Sequence, residues 1–363
     1  MKIAIIGAGI FGITSALKLM EAEFNDITIF EKNVSILSSA SECNQYRLHR
    51  GYHYPRSNEM IQNPNSFEEY YSDSICSSGY QRYYAIASKG SKTTKDQYLS
   101  FLDNNNLKYE IIPRLDVIKE DKVDLIVKVE ESSFDIAELY LICTRRLKEY
   151  GIKVKTSTNF TKEMIDDFDL IINCTYSNLN FILPENEQID YQFELVEKPV
   201  VSLGKEFQRK SIVIMDGEFC CIDPYGFDSY YHLFGHVKEA IHDRIIGKFY
   251  EVLDQYKKYL NSGPDKLFPN SRHKHIFEGI KEFFNFKSIP VVPPSSKKPS
   301  VSNNNIFYLG SMFTIRTVLP NRDHDDARPS YITKHSDQLY SVFSGKIGTS
   351  VDIAEQLIKQ LLK

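Results

Sequence analysis

The chain has 363 residues, 42% hydrophobic and 25% charged, which is ordinary for a globular protein and long enough for two domains. Its 44 Lys and Arg against 48 Asp and Glu give a net charge of −4, which argues against a nucleic-acid binder with its basic excess. No apolar run reaches the length of a membrane span, and the N-terminal apolar segment is a strand interrupted by glycines rather than a signal peptide, so a cytoplasmic protein is expected.

Residues 2–6 (KIAII) suit one buried parallel strand and run into Gly7-Ala8-Gly9-Ile10-Phe11-Gly12, a G-x-G-x-x-G pattern. Ile13, Ala16, Leu17 and Met20 then stand at helical spacing, predicting a helix over 13–22, and 27–30 (ITIF) predicts a second strand ending on Glu31. In that order, Gly7 permits a tight turn, Gly9 the close approach of a pyrophosphate, and Gly12 close helix–strand packing. The helix N-terminus offers N–H groups to phosphates. Glu31, nineteen residues after Gly12, is placed to accept hydrogen bonds from ribose hydroxyls, which favours FAD or NAD over NADP. The alternative is a glycine turn without a ligand.

Residues 44–57 (NQYRLHRGYHYPRS) hold two His, three Arg and three Tyr, with Gly and Pro breaking regular structure. Such a stretch is either an exposed polar loop or one lying against a cofactor ring, since burial without partners is costly. Further along, a helix is expected over 66–77, strands over 80–88, 107–113 and 125–129, and a short helix over 94–102. Residues 134–150 form an amphipathic helix with Ile136, Leu139, Leu141, Ile142 and Leu147 on its apolar side, stopped by Gly151. Strands follow at 152–155 and 168–174, the second apolar enough to be buried on both faces.

From 188 to 236 the pattern is β-rich, with strands near 193–201, 211–215, 219–222 and 230–234. Helical periodicity returns over 244–259 and 276–284, and Pro290, Pro293, Pro294 and Pro299 mark a loop or inter-domain crossing. A strand at 305–309, a charged segment at 316–329, a strand at 338–343, a glycine loop at 344–349 and a helix at 351–362 close the chain. The six cysteines show no C-x-x-C spacing and read as reduced, buried thiols; the histidine pairs lack an acid or cysteine cluster, so no metal site is expected.

Four segments, in order, resemble the FAD-dependent D-amino-acid-oxidase superfamily, which includes glycine oxidase, sarcosine oxidase and L-2-hydroxyglutarate dehydrogenase. They are Gly7–Gly12 with Glu31-Lys32, the 38–57 block, the acid-then-helix stretch 130–151 followed by 168–176 (FDLIINCTY), and the C-terminal arginine, strand and glycine-loop helix. Two departures stand out: Thr175-Tyr176 where such families have glycine, and Ser344-Gly345-Lys346-Ile347-Gly348 where they have G-H-G-x-x-G. The resemblance implies an α/β fold, a Rossmann-like FAD-binding domain (1–78, 130–185 and 325–363) with an inserted antiparallel-β-rich substrate domain (79–129 and 186–324).

It also implies cofactor contacts from Gly7, Gly9, Phe11, Gly12, Glu31, Lys32, Arg47, Leu48, Thr175 and Gly345, Lys346, Ile347, Gly348 and Thr349. Lys346 either adds charge beside the flavin or is a surface lysine in a turn. His49 and His53 form a wall near the flavin, either taking a proton or serving as satisfied hydrogen-bonding groups. Arg316 stands where the superfamily places a carboxylate-binding arginine, or it pairs with Asp323, Asp325 or Asp326; Arg328 is the second candidate. Tyr54 and Tyr176 are candidate substrate contacts. The expected function is FAD-dependent removal of a hydride from a C–N or C–OH carbon of a small, carboxylate-bearing substrate. The alternatives are a flavoenzyme of sugars or nucleotide-sugars, suggested by the Arg47/Arg50/Arg56 cluster, and a catalytically silent FAD-binding protein.

Overall fold

The computed structural model describes residues 1–76, 79–226, 230–264, 267–286, 288, 290–292, 306–322 and 324–363. Ser77, Pro293, Pro294, Pro299, Asn305 and Asp323, which figure in the expectations above, lie outside the described residues.

Two sheets organise the chain. In the first, β1 (Ile3–Ile6) lies between β2 (Ile27–Phe30) and Leu170–Asn173, parallel to both. The full order is Tyr331–Lys334, Leu339–Phe343, Leu170–Asn173, β1, β2, Lys153–Lys155, and only the first pair is antiparallel. The central strands are buried throughout, as two-sided cover requires. Helix α1 (Ile10–Glu21) follows β1 immediately and begins earlier than its periodicity suggests, because Gly9 is its N-cap. Its Ile13 and Leu17 share one core with Leu139 and Leu147 of helix Ile136–Glu149 and Val351 and Leu357 of helix Ser350–Leu361.

Helix Ile136–Glu149 starts at Asp135, whose carboxylate accepts from the N–H groups of Ala137 (2.8 Å) and Glu138 (3.2 Å). Leu141, expected on the apolar side, is 58% exposed, because two positions beyond Leu139 lie on the opposite face of a helix.

The second sheet has ten strands and is mostly antiparallel. Its path runs Pro290–Val291, Ile306–Val318, Tyr191–Ser202, Tyr231–His236, Cys220–Pro224, Lys210–Met215, Gln81–Ala87, Val123–Val129, Tyr109–Ile111, with Ile241–Gly247 also pairing Tyr191–Ser202. A small ribbon, Arg47–Leu48 against Ser132–Phe134 against Ile75–Cys76, sits beside the two sheets and anchors the 44–57 stretch.

Three expectations are corrected here. Residues 244–259 are not one helix: strand Ile241–Gly247 ends there and only Asp254–Lys257 is helical, because pairing with the long central strand overrides local periodicity. The charged segment does not begin at Arg316, which lies inside strand Ile306–Val318. The helix expected over 66–77 is the shorter Asn65–Tyr70, followed by a single turn at Ser72–Ser74.

Glu197, wholly buried in the central strand, ties the outer layer to the sheet. It accepts from His242 Nε2 (2.6 Å), Ser311 (2.5 Å), the Arg272 N–H (2.8 Å) and Ser271. Burial raises its carboxyl, but these donors outweigh burial and hold it below its ordinary range. Glu197→Ala strands four donors around one hole, so we expect a loss of about 3–5 kcal/mol in denaturant unfolding, with a smaller loss for Glu197→Gln.

Candidate functional site

At the nucleotide end, the N-cap Gly9 has no side chain to offer α1, and Ser41 Oγ accepts the Ile10 N–H at 3.1 Å instead. A Cβ on Gly12 would stand 2.0 Å from the Gly7 carbonyl oxygen, so only glycine permits this approach. The Glu31 carboxylate is buried and accepts one N–H on each oxygen, from Ala8 (2.8 Å) and Asn33 (2.8 Å). A carboxylate has about four lone-pair sites, so two remain for ribose hydroxyls. Phe11 packs its ring into the core, leaving only its backbone for a cofactor, while Lys32 is exposed.

The face of the ten-stranded sheet turned toward the nucleotide-binding unit is unusually polar. Cross-strand pairs share a face, and Val200, Leu233 and Met312 on this one join the core that contains α1. By register, Lys198 opposite Met312, Glu194 opposite Arg316, Asp223 opposite Leu233, and Arg82 with Tyr84 fall on the same face. Arg316 is hydrogen-bonded and ion-paired to Glu194, whose other oxygen receives Arg244 (2.9 Å) and Gln192 (2.9 Å). Arg316 therefore does not pair with Asp325 or Asp326, which hold Arg322 and Arg56. Burial raises the Glu194 carboxyl, yet Arg316, Arg328 and Arg244 together bring it below its ordinary range.

The 44–57 stretch is not an exposed loop. Arg47 is buried and paired to Asp223 at 3.1 Å, and Leu48 is wholly buried. His49, His53 and Tyr54 form one aromatic cluster, with centroids 5.7 Å apart for His49–His53 and 5.0 Å for His53–Tyr54. Both histidines have a buried Nδ1 without a hydrogen-bond partner. Burial, then the surrounding cations Lys346, Arg47 and Arg328, keeps both imidazoles well below their ordinary value of 6.5.

The C-terminal loop closes over this cluster. A Cβ on Gly345 would stand 2.0 Å from the Arg328 carbonyl oxygen, and Gly345 N–H donates to Ser330 Oγ at 2.9 Å. Lys346 places its ammonium 4.7 Å from the Tyr54 ring centroid. Burial, then Arg328, Arg47 and Arg316, pushes that ammonium well below the ordinary lysine range. Ile347 packs against the nucleotide core, Gly348 is buried against Pro64, and Thr349 Oγ1 donates to the Lys346 carbonyl at 2.8 Å.

Tyr176 adopts φ +57, a left-handed conformation that suits the glycine it replaces. Its phenol sits by Arg328 and Arg316, while Thr175 Oγ1 bonds Asn173 at 2.7 Å. Among the described residues, the Arg328 guanidinium makes no ion pair and no hydrogen bond, although Tyr54, Glu194 and Tyr176 lie close enough to raise it. Arg47, Arg50 and Arg56 do not form one free basic patch: they are bound to Asp223, Glu68 and Asp216 respectively.

Glu131, Glu194, Lys198, Asp223, Arg82 and Tyr84 were not singled out from sequence. The signal was available in part, since Glu194 and Lys198 are charges four apart in one strand and so share a face. Among the described residues, no group of three or more His, Cys, Asp or Glu could hold a metal, all six cysteines are free and buried, and no helix is long and apolar enough to cross a membrane.

Residues 2–110 match the family model described as FAD dependent oxidoreductase (DAO). No curated protein matches the chain by sequence. The fold is similar to L-proline dehydrogenase from P. horikoshii (TM-score 0.66, 13% identity, 99% of this chain and 93% of that one). It is also similar to glycine oxidase from Geobacillus kaustophilus (0.66, 11%, 99% and 94%) and to L-α-glycerophosphate oxidase from Mycoplasma pneumoniae with FAD bound (0.66, 13%, 100% and 94%). The match to FAD dependent oxidoreductases is thus carried by residues 2–110, the fold of the whole chain is similar to that of the three flavoenzymes named, and the cofactor these comparisons point to is FAD.

The residues present fit that group: a cradle a Cβ would fill, a helix start whose N-cap is glycine, a half-satisfied carboxylate and buried histidine nitrogens without partners. Gly12→Val is expected to abolish FAD uptake, and Glu31→Gln to weaken it, both read by equilibrium titration of apoprotein with FAD. The unfolded chain takes up protons on His49 and His53 near pH 6.5, whereas the folded chain resists them. Apoprotein stability should therefore fall as pH drops below that value, and thermal unfolding of a His49→Gln/His53→Gln variant should show a flatter profile.

Proposed function

We propose that the protein oxidises a C–N or C–OH carbon of a small substrate carrying one carboxylate, held in the cleft between Tyr176, Arg328, Tyr54 and His53. The observation that carries this is Arg328, a guanidinium without an ion pair among the described residues, standing beside two tyrosines and the histidine pair. Around it stand the guanidinium groups of Arg47, Arg316 and Arg328 and the amines of Lys198 and Lys346, both held below the ordinary lysine range first by burial, so a bound anion is the ligand that would favour their charged forms. The neighbours' substrates by name, proline, glycine and glycerophosphate, supply the small polar class.

Arg328 takes the carboxylate through its bidentate fork. Arg316, already bonded to Glu194, fixes the charge beside it and shapes the pocket. Tyr176, in its strained backbone, and Tyr54 wall the substrate. Bound FAD supplies the acceptor for the substrate's hydride. His49 or His53, held neutral, takes the N–H or O–H proton. The glycine loop at 345–348 and Lys346 place N–H groups and charge at the cofactor's edge. This reading assigns 1–78, 130–185 and 325–363 to cofactor binding and the remainder to the substrate.

The test is anaerobic bleaching of the flavin spectrum by amino acids, 2-hydroxy acids and glycerophosphate. Reduction by carboxylates is expected; reduction by sugars or nucleotide-sugars only, or by none, overturns the reading. Arg328→Leu should raise KM for the reducing substrate roughly 10- to 100-fold with FAD still bound. Arg316→Leu should chiefly lower stability, measured by thermal unfolding, because it leaves Glu194 buried with fewer partners.

A further inference from the structure

Glu131 stands outside every role given so far. It ends strand Val123–Val129 by two residues and precedes the Ser132–Phe134 strand of the small ribbon that carries Arg47 and Leu48. Its side chain is wholly buried. One oxygen accepts the Arg50 N–H at 3.0 Å and the other accepts Tyr84 Oη at 2.7 Å, so two donors from different elements fix the carboxylate. The first of those oxygens also lies 3.8 Å from His49 Nδ1. That nitrogen is buried and has no hydrogen-bond partner. At 3.8 Å this is an electrostatic contact, longer than a hydrogen bond.

The charges around His49 give this contact its meaning. Lys346 faces it from the glycine loop, Arg328 from the 322–330 segment, and Arg47 and His53 from its own segment, and all of these oppose a protonated ring. The Tyr54 ring covers one side edge-on. Glu131 is the anion at its edge. Burial holds the Glu131 carboxyl above its ordinary range, and Arg47, Tyr84, the Arg50 N–H and Arg82 offset part of that rise. Arg82 is 2% exposed on the same sheet face, and its three nitrogens lack hydrogen-bond partners, so its charge acts on this carboxylate through space.

We propose that Glu131 is the positioning residue for His49: its carboxylate accepts Nδ1–H, turns the Nε2 lone pair toward the substrate, and neutralises the imidazolium formed when His49 takes the substrate proton. This rests on the function proposed above and selects His49 over His53 as the proton acceptor. Proton balance is simple. The substrate's N–H or O–H proton goes to Nε2, the hydride of its C–H bond leaves to the cofactor, and Glu131 gains no proton. The same logic, a carboxylate fixing an imidazole tautomer without becoming protonated, operates in hydrolase triads.

The first test needs no substrate. Nitrogen NMR of the FAD-loaded protein labelled at histidine, with the His49 signal identified by its loss in His49→Asn, should report the Nδ1–H tautomer in the native chain. A predominant Nε2–H tautomer overturns the proposal, and this readout stands even if Glu131→Gln fails to fold. Glu131→Gln, where folded, should move the His49 titration to lower pH, because removing the anion disfavours the charged ring. No movement overturns the proposal.

The second test is kinetic. With whichever carboxylate bleaches the flavin, Glu131→Gln should slow anaerobic reduction roughly 10- to 100-fold at little change in substrate Kd, and shift the acidic limb of the profile downward. The double variant His49→Asn/Glu131→Gln should be no slower than His49→Asn alone, since the two act as a unit. Additive losses would assign Glu131 a merely structural part. Failure of every substrate to bleach the flavin would instead count against the proposed function, leaving the tautomer result to judge Glu131.

Discussion

The structure depends on how charge is buried between its two sheets. One face of the ten-stranded sheet carries Arg82, Tyr84, Lys198, Asp223 and Glu194, all buried, with the part-exposed Arg316 beside them, and turns them toward the nucleotide-binding unit. Removing an ion from water costs several kcal/mol unless a partner offsets it. The pairs Arg47–Asp223 and Arg316–Glu194 meet that requirement within the chain. Arg328 and Lys346 have no ion pair among the described residues, and the proposed substrate is placed beside them for that reason.

The backbone serves the same end. Two close approaches, Gly12 against the Gly7 carbonyl and Gly345 against the Arg328 carbonyl, set the turns that lead into helices Ile10–Glu21 and Ser350–Leu361. The Arg47–Leu48 ribbon joins a segment of the nucleotide-binding unit to the Ser132–Phe134 strand, so His49 and Glu131, distant in sequence, are set side by side. Tyr176 keeps the left-handed backbone of a glycine while adding a ring next to Arg316 and Arg328. A side chain tolerated in that conformation marks local strain held by its surroundings, as at sites specialised for a ligand.

The outer layer of the second sheet is organised differently. There Glu197 is satisfied by four donors, and the aromatic groups Tyr256, Phe268 and Phe313 close around His242. This network faces away from the cofactor side, because Glu197 alternates with Glu194, Val196 and Lys198 along the same strand. One strand thus carries a self-contained polar pin on one face and an incompletely balanced charge layer on the other. The first holds the sheet together; the second is where the proposed substrate is placed.

The strand–glycine–helix–strand–acid order was readable from residues 1–32 because it is local: periodicity, turn chemistry and an acid at fixed spacing all lie within one βαβ unit. That the 44–57 stretch is not an ordinary exposed loop was readable in part, since so dense a run of His, Arg and Tyr is costly to bury without partners, and the structure buries Arg47, Leu48 and Tyr54 in it. The sequence could not reveal that Arg316 belongs to Glu194, that Arg47, Arg50 and Arg56 separate into different ion pairs, or that 241–247 is a strand. Those outcomes depend on contacts between residues far apart in the chain, such as the 122 positions from Glu194 to Arg316. Local chemistry therefore determined the cofactor motif, while long-range pairing decided which charges are spent within the protein and which are left for the substrate.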